Sequence, residues 1–295
     1  MKFKVKTLEY LIRYIMVQMA NIAFIADMKD SKNMGTSKRI DAQQKLSDIA
    51  DFANSVYGKG MKYKLDFSSG DSIQGLFKSP SSAFCCYFFI RSAFFPYEMR
   101  CGIGAGSLID MPYRSSNMMD GTSYHNARNI LTFSKDNGYD MLFGSGCKED
   151  DFVNRYLAAA QALMSKQSRK QRIVDNLISL TDPLITDDVD TKEYNKGIRR
   201  FIESCAEIYR DSDRTTGDYS FTAAAPSVNL SELAYRSNIF FNMKTVGRNN
   251  QTMIGRMLNV SSENIRQMMI KGDVEMIRSL LIGASLSAEQ CLCEG

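Results

Sequence analysis

Hydrophobic and polar positions in the first half of the chain follow two alternating patterns. Residues 21–26 (NIAFIA) form a short apolar run that ends at Asp27, a pattern typical of a buried strand. From about Arg39 to Tyr57 the apolar residues recur at helical spacing, which predicts an amphipathic helix. The pattern thus predicts a strand followed by a helix.

A β-hairpin and a second helix are predicted next. Apolar and polar residues alternate over 63–68, residues 69–71 (Ser-Gly-Asp) form a turn, and strand character resumes at 73–77. An apolar helix is expected over 81–93, just after Pro80, and 99–105 has the character of a further strand. The predicted order is therefore βαββαβ, followed by one more helix and a short strand.

This order is that of the ferredoxin-like palm, an α+β arrangement in which the third strand lies antiparallel between the first and the second. Asp27 ends the first strand and Asp71 lies in the hairpin turn. We therefore expect these two carboxylates to be neighbours, although they are far apart in sequence.

The second half is predicted to be mainly helical, with a polar loop around residues 210–226. The chain has a basic start, but Glu9 and Arg13 interrupt the apolar region that a signal peptide would need. We therefore expect an N-terminal extension, or a true translation start at Met19. The predicted divisions are an extension (1–19), a palm domain (20–148), a helical connecting region (149–226), a helix-turn-helix domain (227–285) and a tail (286–295).

Composition and charge narrow the class of protein without identifying a partner. The 295 residues are 44% hydrophobic and 24% charged, as in ordinary globular proteins, and a net charge of +4 is too small to indicate nucleic acid. The seven cysteines form no pair of C-x-x-C units, which predicts reduced thiols in the cytoplasm. No apolar run reaches membrane-spanning length, so no membrane association is expected.

Four motifs then occur in a characteristic order. They are IADMKDS (25–31), SGDSIQGLFKSP (69–80), RCGIGAG (100–106) and MDGTSYHNAR (119–128). This ordered set resembles the SatD family over residues 21–143, and it is similar, more distantly, to class III nucleotide cyclases. The resemblance implies a cyclase-like palm.

The same resemblance implies a metal–nucleotide site. Asp27 and Asp71 match the aspartates that hold a divalent metal against a triphosphate, and two hard carboxylates suit Mg²⁺. The alternative use of each is structural, as a turn residue or a loop cap. Lys29, Lys32, Lys38 and Arg39 cluster where a phosphate tail would lie, and the alternative is that they are ordinary solvated side chains. The nucleotide contacts implied by the motifs are Ser31, Lys32, Gly70, Arg100, His125 and Arg128.

Departures from active cyclases leave the catalytic residues unassigned. Ser72 follows Asp71, where diguanylate-cyclase-type hairpins have an acidic residue, and Asn126 precedes Arg128 by two positions rather than one helical turn. The glycines at 102, 104 and 106 lie in a strand without a following helix start, so we expect them to allow close backbone approach or strand distortion rather than bind a dinucleotide.

A helix-turn-helix is predicted between Gln251 and Ile270. Ile254 and Leu258 give the first helix an inner face, Gly255 is small where the helices would cross, and Asn259 can adopt the left-handed turn conformation. Val260, Ile265 and Met268 are expected to complete the core, and Ser261 or Ser262 to cap the second helix. A helix over Leu230–Met243 would form a third wall, and residues 283–295 would fray.

Side chains expected to face outward from this unit are of types that contact DNA. Expected DNA contacts are Arg256, Ser262, Glu263, Asn264, Arg266, Gln267 and Lys271. An ordinary helical hairpin or a protein-contacting unit is the alternative.

The sequence thus predicts a regulator that binds a nucleotide, such as a nucleoside triphosphate, with Mg²⁺ in its palm. It would bind double-stranded DNA through its C-terminal unit as a homodimer. Two alternatives remain: a nucleotidyl cyclase or related nucleotidyltransferase that makes a signalling nucleotide, and a catalytically inert dimerisation scaffold.

Overall fold

A computed structural model describes residues 21–109, 119–213, 228–234, 246 and 248–292. The strands are β1 (Asn21–Met28), β2 (Met61–Ser69), β3 (Ser72–Phe77), β4 (Met99–Gly106), β5 (Met141–Gly144), β6 (Leu184–Ile185) and β7 (Val228–Asn229). The helices of the first half are α1 (Thr36–Val56), α2 (Pro80–Phe94), α3 (Thr122–Asn137), α4 (Asp150–Met164) and α5 (Arg169–Thr181). The remaining helices are α6 (Thr191–Gly197), α7 (Arg199–Asp213), α8 (Leu230–Ala234), α9 (Arg248–Leu258), α10 (Ser262–Lys271) and α11 (Val274–Cys291).

The first five strands form one sheet in the order β2-β3-β1-β4-β5. β1 is antiparallel to both β3 and β4, and β5 pairs with β4 in parallel. The third strand therefore lies between the first and the second, and the predicted βαββαβ palm is confirmed. β6 and β7 pair separately as a two-stranded sheet.

One face of this sheet carries the main core. Phe24 and Ile103 point to this side, together with the buried residues of α1 and α2. All residues of α2 except Arg91 are buried, because the helix is enclosed by the sheet, by α1 and by the helices α5 and α11. Its first turn is fixed by Pro80 and by Ser79, whose side chain accepts a hydrogen bond from Ser82 N.

The opposite face is covered by α3, which lies against the glycines of β4. A Cβ atom added to Gly102 would lie 2.2 Å from Ala127 O, and one added to Gly104 would lie 2.3 Å from Ala127 N and Ser123 O. Only glycine allows the helix backbone to approach the strand this closely. The predicted role of these glycines in close backbone approach is confirmed.

The C-terminal helices pack on the rest of the molecule. α9 and α10 are joined by three residues, of which Asn259 has a φ of 53°, as expected from the sequence, and both helices contact α5. α11 packs along α4 and against α2. The expectation of a frayed end from residue 283 is wrong, because α11 continues to Cys291 with Ala284, Ser285 and Ala288 buried in these contacts.

The expected helix over Leu230–Met243 is described only as α8, and its remainder lies outside the described residues, as do residues 1–20. None of the helices in the ranges given above combines the length and the apolar content that a membrane span requires.

Candidate functional site

The carboxyl end of β1 lies beside the hairpin turn between β2 and β3. Asp27 is paired with Ser72 on β3 and, on its other side, with Arg100 on β4. Met28 N donates a hydrogen bond of 3.0 Å to Asp71 O. The predicted adjacency of Asp27 and Asp71 is therefore confirmed by the strand register.

Both carboxylates have a partner within the protein. Lys135 Nζ of α3 lies 2.5 Å from Asp27 Oδ2, and Ser31 Oγ donates a hydrogen bond of 2.5 Å to Asp71 Oδ2. The other carboxylate oxygen, Asp27 Oδ1, is buried and accepts no hydrogen bond from any described residue. Such an orphaned acceptor is costly unless a water, a metal ion or a ligand satisfies it.

These side chains line a cleft of about 440 Å³. Arg100, the neighbour of Asp27 on β4, also lines it, and the Arg100 Nε atom is buried without a hydrogen-bond partner in the described part of the chain. Three acidic and three basic side chains contribute, so the charge of the cleft is balanced. They are Asp27, Asp30, Asp71, Lys32, Arg100 and Lys135.

The donor set fits Mg²⁺ held jointly with a phosphate. No cluster of three histidine, cysteine, aspartate or glutamate side chains able to hold a metal ion occurs among the described residues. Mg²⁺, however, usually binds through one or two carboxylates and completes its coordination with waters and substrate phosphates. Asp27 and Asp71, with the unsatisfied Asp27 Oδ1, are the residues that would hold it.

The structure brings together five of the sequence-predicted site residues. Asp27, Ser31, Lys32, Asp71 and Arg100 all line the cleft. Gly70 lies next to them in the hairpin turn, where its carbonyl accepts a hydrogen bond from Gln43 Nε2.

Two other predicted residues lie away from the cleft on the exposed side of α3. His125 is exposed, with Nε2 3.4 Å from Asp120 Oδ1. The Arg128 guanidinium lies 6.0 Å from the centre of the Tyr124 ring. Neither side chain lines the cleft, so its geometry provides no support for the nucleotide contacts that the family motif implies for them.

Lys29 lines a second, smaller cavity of about 200 Å³. Its Nζ pairs with Glu98 at 3.1 Å and with Asp140, and Glu98 also pairs with Arg172 of α5 at 2.8 Å. Partial burial raises the pKa of the Glu98 carboxyl, but the two cations outweigh it and the pKa lies below its usual value. Glu98 thus links Lys29 to Arg172 of α5, and the Lys29 ammonium group does not line the cleft.

Lys135 and Asp30 are charged cleft residues that the sequence analysis did not predict, and Lys135 is the one that pairs with Asp27. It lies in α3, one turn after Leu131 and two turns after Ala127, both of which pack on the sheet. The i, i+4, i+8 spacing places all three on one face of the helix. Recognition of that face would have found Lys135, but only once α3 was known to lie over the end of β1.

The outward residues of α9 and α10 are accessible, as predicted. Ser261, rather than Ser262, caps α10, and its side chain accepts a hydrogen bond from Asn264 N. Glu263 accepts hydrogen bonds from Arg266 and Gln267, which lower the pKa of the Glu263 carboxyl to about 2. Gln267 is half-buried. The other predicted DNA contacts are exposed, namely Arg256, Ser262, Glu263, Asn264, Arg266 and Lys271. In the helix core Met269 is buried, whereas Met268 is only partly buried.

Two solved structures similar to this chain are both of bacterial light-regulated adenylyl cyclases. The first has 17% sequence identity and a TM-score of 0.32, and the match covers 42% of this chain and 42% of that protein. The second has 16% identity and a TM-score of 0.32, with coverage of 42% and 74%. No curated protein sequence matches the chain.

The sequence family that matches is the SatD family, over residues 21–197. This range contains the whole five-stranded sheet and continues through α4, α5 and α6, so it takes in well over half of the 295 residues. By this match the chain belongs to the SatD family.

Proposed function

We propose that the palm binds a nucleoside triphosphate together with Mg²⁺ and that the protein is a nucleotide-responsive regulator. The observation that carries this proposal is the buried, unsatisfied Asp27 Oδ1 beside Asp71 in the cleft at the end of β1. Asp27 and Asp71 would hold the metal, which when bound offsets phosphate charge.

The basic side chains of the cleft suit the phosphates. Arg100, with its unsatisfied Nε, and Lys32 can donate charge-assisted hydrogen bonds to phosphate oxygens. The cleft side chains alone are balanced in charge, so a triphosphate alone would add uncompensated negative charge. Mg²⁺ supplies the missing positive charge, and we therefore expect nucleotide and metal to bind together.

Thermal unfolding tests the site directly. Each of the four common nucleoside triphosphates is added with Mg²⁺ to the purified protein and to the variants Asp27→Asn and Asp71→Asn. A ligand that binds only the folded state at about 100 times its Kd adds about 2.7 kcal/mol to the free energy of unfolding. We expect such a gain for wild type, and its loss in both variants.

The exposed α1 residue Asp51 provides the control. Asp51→Asn removes the same charge away from the cleft and should keep the nucleotide-dependent shift. Absence of a shift for wild type with every nucleotide would contradict the proposal and favour the inert scaffold. Release of a cyclic or dinucleotide product from the stabilising triphosphate would instead favour the nucleotidyl cyclase alternative.

We propose in addition that α10 contacts double-stranded DNA in a homodimer. The supporting observation is that α10 begins with Ser261 as cap and exposes Asn264 and Arg266, with Arg256 and Lys271 at the flanks. Glu263 binds Arg266 and Gln267 in the free protein. Base contacts by these two side chains would require them to exchange Glu263 for a base edge.

Salt dependence separates this proposal from a protein-contacting role. Fluorescence anisotropy with a mixed-sequence duplex should give an affinity that falls steeply with salt, and Arg256→Gln should reduce the slope by about 0.9 for one lost phosphate contact. Arg155→Gln, on the exposed side of α4, is the matched control. No binding at about 50 mM salt would contradict the DNA proposal without affecting the palm proposal.

A further inference from the structure

Lys135 holds the carboxylate that a metal ion in the cleft would need. Its Nζ lies 2.5 Å from Asp27 Oδ2, within the distance of a direct ion pair. The Asp27 side chain is 13% exposed, whereas that of Lys135 is 46% exposed. The carboxylate is thus fixed in the sheet, and the ammonium group is attached to a long side chain that reaches solvent.

The position of Lys135 is set by the packing of α3. Ala127 and Leu131 lie on the glycines of β4, in contact with the strand backbone. Lys135 follows on the same helical face, over the end of β1. The ion pair therefore results from the way α3 packs on the sheet and does not depend on a loop.

An ammonium group on Asp27 Oδ2 and a divalent cation at the unsatisfied Asp27 Oδ1 compete for the charge of one carboxylate. Free Mg²⁺ would have to displace Lys135 into solvent, where its charge would remain close to the metal and repel it. A metal that arrives with a triphosphate brings anionic oxygens to which Lys135 can transfer. The exchange then replaces one charge-assisted contact by another.

We propose that Lys135 is a displaceable counter-ion that keeps free divalent metal out of the Asp27–Asp71 site and becomes a phosphate ligand when Mg²⁺ arrives with a nucleoside triphosphate. This inference rests on the proposed nucleotide function and adds a selection rule to it. The site accepts a metal–triphosphate complex and discriminates against either component alone.

Binding of Mn²⁺ alone, followed by electron paramagnetic resonance, tests the exclusion. Lys135→Gln frees Asp27, so we expect it to bind free Mn²⁺ about ten-fold more tightly than wild type. Calorimetry with MgATP and MgGTP identifies the nucleotide that binds. Lys135→Gln should bind that metal–nucleotide complex about ten-fold more weakly than wild type. Lys135→Arg keeps the charge and should retain the exclusion of Mn²⁺.

Lys64→Gln, on the exposed side of β2, is the matched control and should leave both affinities unchanged. Circular dichroism of each variant verifies that the fold is retained. Equal Mn²⁺ affinity in wild type and Lys135→Gln would overturn the counter-ion role even if MgATP or MgGTP binds. Absence of nucleotide binding in wild type, with tighter Mn²⁺ binding in Lys135→Gln, would overturn the phosphate-ligand role and the nucleotide proposal but retain the metal exclusion.

Discussion

Arg278 and Asp182 form a charged pair inside the helical half of the molecule. Arg278 lies on α11 and Asp182 follows the end of α5, and both are almost fully buried. Arg278 Nη2 is 4.0 Å from Asp182 Oδ1, while Asn250 Nδ2 of α9 donates a hydrogen bond of 2.9 Å to Asp182 Oδ2. Burial lowers the pKa of the Arg278 guanidinium, although Asp182 and Asp175 oppose this shift. Three helices therefore meet at one buried carboxylate.

Removal of the Arg278 guanidinium should lower the free energy of unfolding strongly. Arg278→Met leaves the Asp182 carboxylate buried without this partner, and loss of one member of a buried pair typically costs about 3–5 kcal/mol of unfolding free energy. Urea unfolding measures the change. Arg155→Met, which breaks an exposed pair with Asp151 on α4, should cost at most about 1 kcal/mol. Similar losses in both variants would show that the buried pair has no special weight.

The Glu263 carboxyl provides a separate test at the level of one side chain. Hydrogen bonds from Arg266 and Gln267 hold its pKa at about 2, below the ordinary value of 4.5. Because the folded pKa is depressed, any stabilisation from this pair is present above pH 4.5 and is lost as the pH falls through about 2. Carboxyl-edited NMR titration should give a midpoint near 2 in wild type and a higher one in Arg266→Ala. Titration of wild type at 4.5 would contradict the bonding.

For individual residues, the sequence predicts which side chains belong to the site better than it predicts where those side chains point. Asp27 and Asp71 could be paired in advance, because strand order alone brings their backbones together. The directions of Lys29 and Lys135 could not be predicted. Lys29 turns to Glu98 and Asp140 and Lys135 turns to Asp27, and both choices depend on how helices pack over the sheet.

At the scale of secondary-structure elements, the helix α3 packs directly on the backbone of the strand β4. Gly104→Ala places a Cβ atom 2.3 Å from the backbone of α3, a clash that a side-chain rotation cannot relieve. We expect a loss of about 3 kcal/mol in unfolding free energy, at the upper end for overpacking. Gly58→Ala, where an added Cβ meets nothing within 4 Å, is the matched control. Equal stability of the two variants would mean that α3 can move away from the sheet at little cost.

The strands and helices of the palm could be predicted because the hydrophobic period and the flanking turn residues indicate the same type of element in each case. α11 could not be predicted to its end. Its last turns contain Gly283, Ser285 and Ser287, so the sequence lacks a strong apolar stripe there. These small residues instead allow close packing on neighbouring helices, as Gly283 does against Tyr156 of α4. Such a tertiary contact has no local signature.

Across the whole molecule, α11 completes the core of the palm. Glu289 near its end is half-buried and accepts a 2.9 Å hydrogen bond from Ser81 N, in the first turn of α2. A carboxylate at this position satisfies a free amide of the helix terminus and interacts favourably with the helix dipole. The C-terminal helix and the palm, for which we propose nucleotide binding, therefore share one hydrophobic core.

This contact should make stability depend on pH. Burial raises the pKa of the Glu289 carboxyl above its ordinary value of 4.5, while hydrogen bonds from Ser81 and Ser79 partly oppose the shift. A carboxyl with a raised folded pKa favours folding most below pH 4.5, and that contribution is lost as the pH rises through the folded pKa. Glu289→Gln cannot ionise, so its stability relative to wild type should rise in urea unfolding as the pH increases above 4.5.

The exposed α7 residue Glu207 supplies the control for this titration. Glu207→Gln should follow the pH profile of wild type. A constant difference between Glu289→Gln and wild type across the range would mean that Glu289 does not change its protonation there.

The glycines of β4 also constrain how this molecule can change over time. A side chain gained at Gly102 or Gly104 would lift α3 from the sheet and carry Lys135 away from Asp27. Substitutions at two strand positions that do not line the cleft would then disrupt the site. We expect relatives to inherit the bare strand face and the lysine–aspartate pair together, or to lose both.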